Sequence, residues 1–393
     1  MNGSDVSVLM ATYNRCGFIA EALTSLLKQS LPPAEVIVVD DGSTDDTVRI
    51  VSGFGSRVRY FRQDNRGKAA AINVALRQAK STWVWIFDDD DIALPGALEA
   101  HCRELAQHPN VNFSYSLHGD LLPIGEGWAE HVPSGMSLPN AAELMFGLLT
   151  GAWIAYMQAM LVRRTVFLDL NGFREDFFRV EDEEFVLRLA GKYVGVPVAQ
   201  VTFLLRRHPG DRGPGAQRFG AGDRTSVDRM YLQRVYRKAY ASEPLTRYCP
   251  PGIAGPVDGD CGVDSLVVRM AVMMRVGIWD RASEDWMRIG LIDERIGAAA
   301  LDVVSRVASG LAQSDWRDMF GTSGVFASSR TSGYGSGDAR EVTLALLRGV
   351  YWGWRRELRA FDLRSTSRLL FVLGKLWLVW WRQRGSGSWR IFS

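Results

Sequence analysis

The chain has 393 residues, of which 47% are hydrophobic and 23% are charged, and its formal net charge is +2. This composition is typical of a globular protein of two or three domains, and it excludes a disordered chain and a membrane protein with many spans. Because the net charge is small, the chain has no general electrostatic attraction for nucleic acid, and we expect no nucleic-acid partner.

The cysteines and the N-terminus give an expectation about location. The four cysteines have no C-x-x-C spacing, which argues against a zinc site and against a disulfide framework. The polar residues at the N-terminus lack the charged and apolar regions of a signal peptide. We therefore expect a reduced, cytoplasmic location.

The N-terminal part of the chain alternates between the patterns of strands and helices. Short apolar runs predict four strands, at residues 6–10, 36–39, 58–61 and 83–87. Apolar residues at helical spacing predict a helix after each of the first three strands, and Pro95 suits the first turn of another. Such alternation predicts a doubly wound, mostly parallel α/β sheet, in which ligands bind beyond the carboxyl ends of the strands.

The pattern changes twice further along the chain. Residues 113–205 are mixed, with predicted strands at 154–162 and 196–205 and a predicted helix at 181–189. The apolar spacing of the remaining chain is helical. We therefore predict two parts, an α/β domain over residues 1–220 and a mainly helical region over residues 221–393.

Four consecutive aspartates, here called the aspartate run, follow the predicted fourth strand directly. The aspartate run consists of Asp88, Asp89, Asp90 and Asp91. Its carboxylates repel one another, so a place at the ligand edge of the sheet is costly unless a cation compensates. Because Mg²⁺ and Mn²⁺ prefer oxygen ligands, the run predicts a divalent metal that binds together with a diphosphate substrate. The alternative is a solvated acidic turn.

Further polar groups lie at the same predicted edge. Asp40 and Asp41 end the second strand, where a carboxylate could accept hydrogen bonds from a ribose or a base or could cap a helix. Asn65 and Lys68 open the third helix, where free N–H groups and the lysine ammonium could bind phosphate. We interpret these residues as candidates for nucleotide binding.

Two later segments supply candidate catalytic and metal-binding groups. Glu181 and Asp182 begin a helix, where they could provide a general base or could simply complement the helix dipole. Arg207 and His208 lie in a basic loop, where an arginine could hold a diphosphate and a neutral imidazole could bind a metal. A solvated basic loop is the alternative.

Taken together, these segments resemble family 2 glycosyltransferases of the GT-A fold. The matching segments are residues 6–15, 38–45, 65–68 with Asn73, 87–91 and 181–182. The resemblance covers residues 5–215, about half of the chain. It implies an inverting transfer from a nucleotide-diphosphate sugar, commonly a UDP-sugar, with Mn²⁺ or Mg²⁺ as the cofactor.

The resemblance also implies roles for single residues. Asp182 would be the general base, with Glu181 as the alternative, and Asp41 would read the uracil or the ribose. The residues expected to bind the nucleotide sugar are Ala11, Thr12, Tyr13, Asn14, Asp41, Asn65, Lys68, Asp88, Asp89 and Arg207. The residues expected to bind the metal are Asp88, Asp90 and His208, with Asp90 as the direct ligand.

The chain departs from the family pattern at two places. Ala11 stands where the family usually has proline. Asp89 and Asp91 make the metal motif more acidic than usual, which leaves open which carboxylate contacts the metal.

The C-terminal tail is basic and rich in tryptophan. As a helix, its apolar segment 369–381 would be about 20 Å long, short of the roughly 30 Å of a bilayer's hydrocarbon core. Arginines flank this segment, which predicts either a peripheral helix on the cytoplasmic membrane face, formed by residues 365–393, or a buried helix. The Gly/Ser-rich stretch 321–337 predicts a surface loop or an active-site lid.

The sequence leaves the acceptor open as a glycan, a lipid-linked molecule or a small molecule. Two other functions are compatible with a similar sheet. A sugar-nucleotidyltransferase would need a glycine-rich loop after the first strand. This chain has Ala-Thr-Tyr-Asn at residues 11–14, without a glycine, which argues against that function. A non-catalytic scaffold that binds sugar nucleotides would have a broken metal motif or would lack the base. This sequence has both an intact metal motif and a candidate base.

Overall fold

The described part of the chain forms two units. In the computed structural model, the described residues are 5–125, 127–132, 137–152, 156–208, 224–251, 262–289, 292, 296–310, 342, 345 and 346. One unit comprises the described residues up to 148 and those from 156 to 231, and the other comprises residues 149–152 and those from 232 onward.

The N-terminal alternation of strands and helices is present as predicted. The strands are β1 (Val6–Thr12), β2 (Glu35–Asp40), β3 (Arg59–Arg62) and β4 (Trp83–Ile86). The helices are α1 (Ile19–Leu27), α2 (Thr47–Ser52), α3 (Lys68–Gln78) and α4 (Ala97–Gln107). Helix α4 begins two residues after Pro95, which therefore lies before its first turn rather than in it.

The rest of the first unit adds shorter and antiparallel elements. The strands are β5 (Ile92–Ala93), β6 (Phe113–Ile124), β7 (Gly127–His131), β8 (Met160–Arg163) and β9 (Gly195–Arg206). The helices are α5 (Leu144–Thr150), α6 (Arg164–Asp169) and α7 (Glu181–Lys192). The predicted strand over 154–162 is corrected, because Met157–Ala159 form a 3-10 turn and the strand begins only at Met160.

The nine strands of the described residues belong to one sheet, with the order β3-β2-β1-β4-β8-β6-β9-β5 and with β7 paired to β6. Strand β8 is antiparallel to both of its neighbours, β4 and β6, so these two strands run in the same direction. Parallel pairing joins β1 to β2 and β4, β2 to β3, and β6 to β9. Six strands thus share one direction, and their carboxyl ends meet at one edge, as the predicted mostly parallel α/β fold requires.

Burial of the central strands explains why their sequences are continuously apolar. Residues Val36–Val39 of β2 and all of β4 are buried, as expected for strands that are covered by helices on both faces. Helix α1 packs on the same core through residues at helical spacing, Ile19, Leu23 and Leu26. This packing fixes the loops that follow β1, β2 and β4 at the ligand edge.

The second unit is helical in its described part. Its helices include α9 (Val263–Arg275), α10 (Trp279–Ile289) and α11 (Ala298–Gly310), which follow α8 (Arg224–Ser242). Arg269 and Asp285 form a buried two-bond ion pair at 2.9 and 2.6 Å, and the Tyr240 hydroxyl donates to the same carboxylate. A buried charge requires such pairing.

Within the described residues, no helix combines the length and the apolar character needed to cross a membrane. The tail over 365–393 and the Gly/Ser-rich stretch over 321–337 lie outside the described residues.

Candidate functional site

The loops after β1 and β2 are joined to each other by hydrogen bonds. The Asn14 backbone N–H donates to Ser43 Oγ at 2.9 Å, and Asn14 Oδ1 accepts from the Thr44 N–H at 2.7 Å. Asn14 has a left-handed backbone (φ 52°), which asparagine tolerates better than most residues. The predicted nucleoside residues are thereby brought together, because the Asp41 N–H also donates to the Thr12 carbonyl at 2.8 Å.

Asp41 organises the loop that leads into α3. Its Oδ1 accepts from Gln63 Nε2 and the Arg66 N–H at 2.7 and 2.8 Å, and its Oδ2 accepts from the Gly67 N–H at 2.7 Å. Burial raises the pKa of Asp41 above its ordinary value, although these hydrogen bonds oppose the rise. The adjacent Asp40 accepts from the Ser43 N–H and the Tyr60 hydroxyl, both at 2.7 Å. Both aspartates therefore hold loops in place.

Asn65 lies in this loop with an unsatisfied side chain. Among the described residues, neither its amide nitrogen nor its amide oxygen has a hydrogen-bond partner, although both atoms are buried. Leaving a buried polar group unpaired costs about 1–3 kcal/mol. A ligand with both a donor and an acceptor would satisfy this amide.

Lys68, the first residue of α3, lies among three carboxylates. Its Nζ is 2.9 Å from Asp88 Oδ1, 3.3 Å from Asp182 Oδ2 and 3.5 Å from Glu181 Oε1. Burial alone would lower the pKa of Lys68, but the three negative charges outweigh it and raise that pKa. The start of α3, the residues after β4 and the start of α7 thus meet at one charged cluster.

The two carboxylate oxygens of Asp182 have different surroundings, and Oδ2 is the one that contacts Lys68. Its Oδ1 is buried and has no hydrogen-bond partner within the described part of the chain. Burial raises the pKa of Asp182 to about 7, the Lys68 ammonium opposes that rise, and the charges of Glu181 and Asp88 add to it. Val180, just before α7, has a left-handed backbone (φ 54°), an uncommon state for a β-branched residue.

The aspartate run offers an oxygen-rich set of ligands. Asp88, Asp90 and Asp91 each place a carboxylate oxygen within 4.8 Å of the others, and His208 Nε2 lies 2.9 Å from Asp90 Oδ2. Burial raises the pKa of Asp89 to about 7, and the charge of Asp90 adds to the rise. These hard oxygen donors, crowded and partly buried, fit Mg²⁺ or Mn²⁺.

The other predicted residues are placed as follows. Ala11 pairs with Val39 in the register of β1 and β2, and Tyr13 follows the end of β1. Arg207 is not brought to the charged cluster, because its Nε donates to Asp120 Oδ1 at 2.8 Å.

Three residues outside the predicted site residues contact the aspartate run. Arg15 Nε lies 3.5 Å from Asp89 Oδ1, Gln158 Nε2 donates to Asp91 Oδ2, and Arg206 Nε donates to the Asp90 carbonyl. Gln158 is a single polar residue within an apolar run. Because a buried polar side chain needs a hydrogen-bond partner, this pattern could have indicated that Gln158 binds another polar group. Arg206 directly precedes Arg207, the arginine that was predicted to bind the nucleotide sugar.

The sequence matches a family of known enzymes. Residues 7–170 match the family model described as glycosyl transferase family 2. The chain is 30% identical over 247 residues to hyaluronan synthase from Pasteurella multocida, a match that covers 62% of this chain and 23% of that protein. It is 32% identical over 196 residues to the poly(ribitol-phosphate) beta-N-acetylglucosaminyltransferase TarS from Staphylococcus aureus, covering 46% of this chain and 32% of TarS. The chain therefore spans less than a third of the length of either relative.

Solved structures with a similar fold cover nearly the whole chain. The crystal structure of S. aureus TarS 1-349 has a TM-score of 0.52 and 17% identity, covering 91% of this chain and 92% of that one. The same fragment in complex with UDP-GlcNAc has a TM-score of 0.50 and 16% identity, with the same coverage. At these identities the likeness concerns the fold, and it confirms the predicted GT-A type of α/β sheet.

Proposed function

We propose, from the premise that residues 7–170 belong to glycosyl transferase family 2, that this chain transfers a sugar from a nucleotide-diphosphate sugar to an acceptor hydroxyl. The transfer is a single displacement that inverts the anomeric centre. The observation that carries the proposal is the meeting of Lys68, Asp88 and Asp182 at the carboxyl edge of the sheet. A base, a cation and a metal motif are the groups that this reaction needs.

The donor in this proposal is a UDP-sugar. The buried and unpaired amide of Asn65, next to the joined loops after β1 and β2, can exchange a donor and an acceptor bond with a base. One relative is named a beta-N-acetylglucosaminyltransferase, and the structure of its fragment holds UDP-GlcNAc. The acceptor is proposed to be the hydroxyl of a glycan, a lipid-linked molecule or a small molecule.

Asp88, Asp90 and His208 would hold Mn²⁺ or Mg²⁺. When bound there, the ion would supply positive charge against the departing diphosphate. Lys68 would add a second positive charge on the side of the cluster that faces Asp182.

Asp182 would act as the general base. Its unpaired Oδ1 takes the proton of the acceptor hydroxyl while the acceptor oxygen forms the bond to the anomeric carbon. The bond from that carbon to the diphosphate oxygen breaks, and its electron pair leaves with the diphosphate. A base with a pKa of about 7 is matched to neutral pH.

A panel of nucleotide sugars tests the proposal. Each donor is incubated with Mn²⁺ or Mg²⁺, and the release of nucleoside diphosphate is followed with and without EDTA. We expect release from one donor, loss of that release with EDTA and in Asp90→Ala, and normal release in Asp46→Ala, which removes an exposed aspartate of a surface ion pair. If no donor releases nucleoside diphosphate and calorimetry detects no binding of any donor, the proposed function is wrong.

A further inference from the structure

Two residues, Asp91 within the aspartate run and Arg206 beside it, hold the run in place without belonging to the proposed ligand set. We propose that Asp91 and Arg206 are positioning residues, which set the affinity of Asp88 and Asp90 for a divalent cation without contacting that cation. The inference rests on the proposed function only in that the run receives such a cation.

Both carboxylate oxygens of Asp91 accept a hydrogen bond from the protein. Its Oδ1 accepts from the Arg206 N–H at 2.8 Å, and its Oδ2 accepts from Gln158 Nε2 at 2.7 Å. Asp91 is 1% exposed. Although one of its oxygens lies within 4.8 Å of those of Asp88 and Asp90, both oxygens already have good donors. Asp91 therefore serves as an anchor for the run.

Gln158 ties this anchor to the core of the sheet. It lies in the 3-10 turn before β8, and its backbone carbonyl accepts from the Trp85 indole N–H at 2.8 Å. Trp85 belongs to β4, the strand that leads directly into the aspartate run. The turn that holds Asp91 is thus fixed to the strand that carries the run.

Arg206 holds the next residue of the run. It is 3% exposed, and its Nε donates to the Asp90 carbonyl at 2.7 Å. Its Nη2 donates to Glu21 Oε2 at 2.5 Å, and the guanidinium packs 4.6 Å from the Trp128 ring and 5.3 Å from the Phe18 ring. Contacts from several elements fix the guanidinium, so the Asp90 backbone cannot shift without breaking them.

The end of β9 therefore holds Asp90 at two points. Arg206 binds its carbonyl, and His208, two residues later, lies 2.9 Å from its Oδ2. Neighbouring carboxylates repel one another, and an unsupported run would spread apart before a cation arrives. Fixing the backbone in advance lowers the ordering cost of binding, which is how residues outside a ligand set raise metal affinity.

Calorimetric titration of the full chain with Mn²⁺ tests the role of Arg206. We expect Arg206→Met to weaken Mn²⁺ binding by about 10- to 100-fold, the usual effect of a residue that orients metal ligands. Arg59→Met is the matched control, because it removes a partly buried arginine that pairs with Glu35 on β2. Thermal unfolding of each variant shows whether it is folded. A folded Arg206→Met with unchanged affinity would overturn the proposal.

Asp91→Asn provides a second and milder test. The asparagine oxygen can keep the bond from the Arg206 N–H, and Gln158 can turn its amide, since its Oε1 has no partner within the described residues. We expect this variant to bind Mn²⁺ at least about tenfold more tightly than Asp90→Asn does. Equal losses in the two variants would make Asp91 a ligand and contradict the proposal. A wild-type chain that binds no Mn²⁺ would instead contradict the metal assignment of the proposed function.

Discussion

Two groups of aspartates lie at the ends of parallel strands at the same edge of the sheet. They differ in how far away in the sequence their hydrogen-bond partners lie. Asp40 and Asp41 bind donors that lie within 26 residues of them, among them three backbone N–H groups. In the aspartate run, Asp90 and Asp91 are held by Gln158, Arg206 and His208, between 67 and 118 residues away. The first pair shapes its own loops, whereas the run depends on the completed fold.

The difference also appears in the balance of charge. The carboxylate of Asp41 accepts three hydrogen bonds from neighbouring residues of the chain. In the run, the carboxylates of Asp88, Asp90 and Asp91 crowd within 4.8 Å of one another. Asp41 and Asp91, whose oxygens accept hydrogen bonds from the protein, act as scaffold, whereas the repulsion between Asp88 and Asp90 favours the binding of a cation. Variants in the two groups should therefore fail in different ways.

The largest effect is expected at Asp182, which shares Lys68 with the run. Asp182→Asn should lower turnover by about 10²- to 10⁴-fold, because the amide cannot take the proton of the acceptor. Binding of the donor, measured by calorimetry, should persist. Glu181→Gln compares the alternative base, and Glu183→Gln is the control on the same helical turn. Full turnover in Asp182→Asn would remove this residue from the chemistry.

The pH dependence of the rate sharpens the same assignment. Burial raises the pKa of Asp182 to about 7, so below that pH the base is protonated and cannot accept a proton. We expect kcat/KM to be level above about pH 7 and to fall about tenfold for each pH unit below it. A profile that stays flat down to about pH 5 would show that no group with this pKa limits the reaction.

The main effect of Asp41→Asn should be a loss of fold stability rather than a loss of turnover. The new amide turns a donor toward the Arg66 or the Gly67 N–H, where the carboxylate accepted a bond. We expect a loss of about 1–3 kcal/mol in the free energy of unfolding, measured with urea. An unchanged unfolding curve would mean that Asp41 does not serve as scaffold.

A smaller effect is expected at Val180, whose left-handed backbone precedes Glu181 and Asp182. Val180→Gly should raise the free energy of unfolding by about 0.5–1 kcal/mol, since relief of the strain exceeds the entropy that glycine adds to the unfolded chain. Turnover should fall slightly, because Asp182 is less firmly aimed. A clear loss of stability would show that the valine side chain matters more than its backbone strain.

The sequence predicted where both groups of aspartates lie but not what holds them. Apolar runs followed by polar residues located the ends of β2 and β4, because strands buried on both faces have a strong local pattern. The contact of Arg206 with Asp90 was not predicted, because the two residues are 116 positions apart in the sequence. Periodicity carries no information about such contacts.

Some structure was missed although a signal existed. Strand β6 begins with alternating apolar and polar residues, Phe113 to His118, a pattern typical of a half-buried strand. The 3-10 turn at Met157–Ala159 interrupts an apolar run that reads locally as a strand. The domain boundary near residue 220 stays a prediction, since residues 209–223 lie outside the described part of the chain.

Thermal unfolding with and without Mn²⁺ tests the contrast between the two groups most directly. In the wild-type chain and in Asp41→Asn, Mn²⁺ at about 100 times its Kd should add about 2.7 kcal/mol to the free energy of unfolding. In Asp90→Asn the ion should add little, because a carboxylate of the crowded run is lost. An equal gain in Asp90→Asn, or its loss in Asp41→Asn alone, would contradict this account.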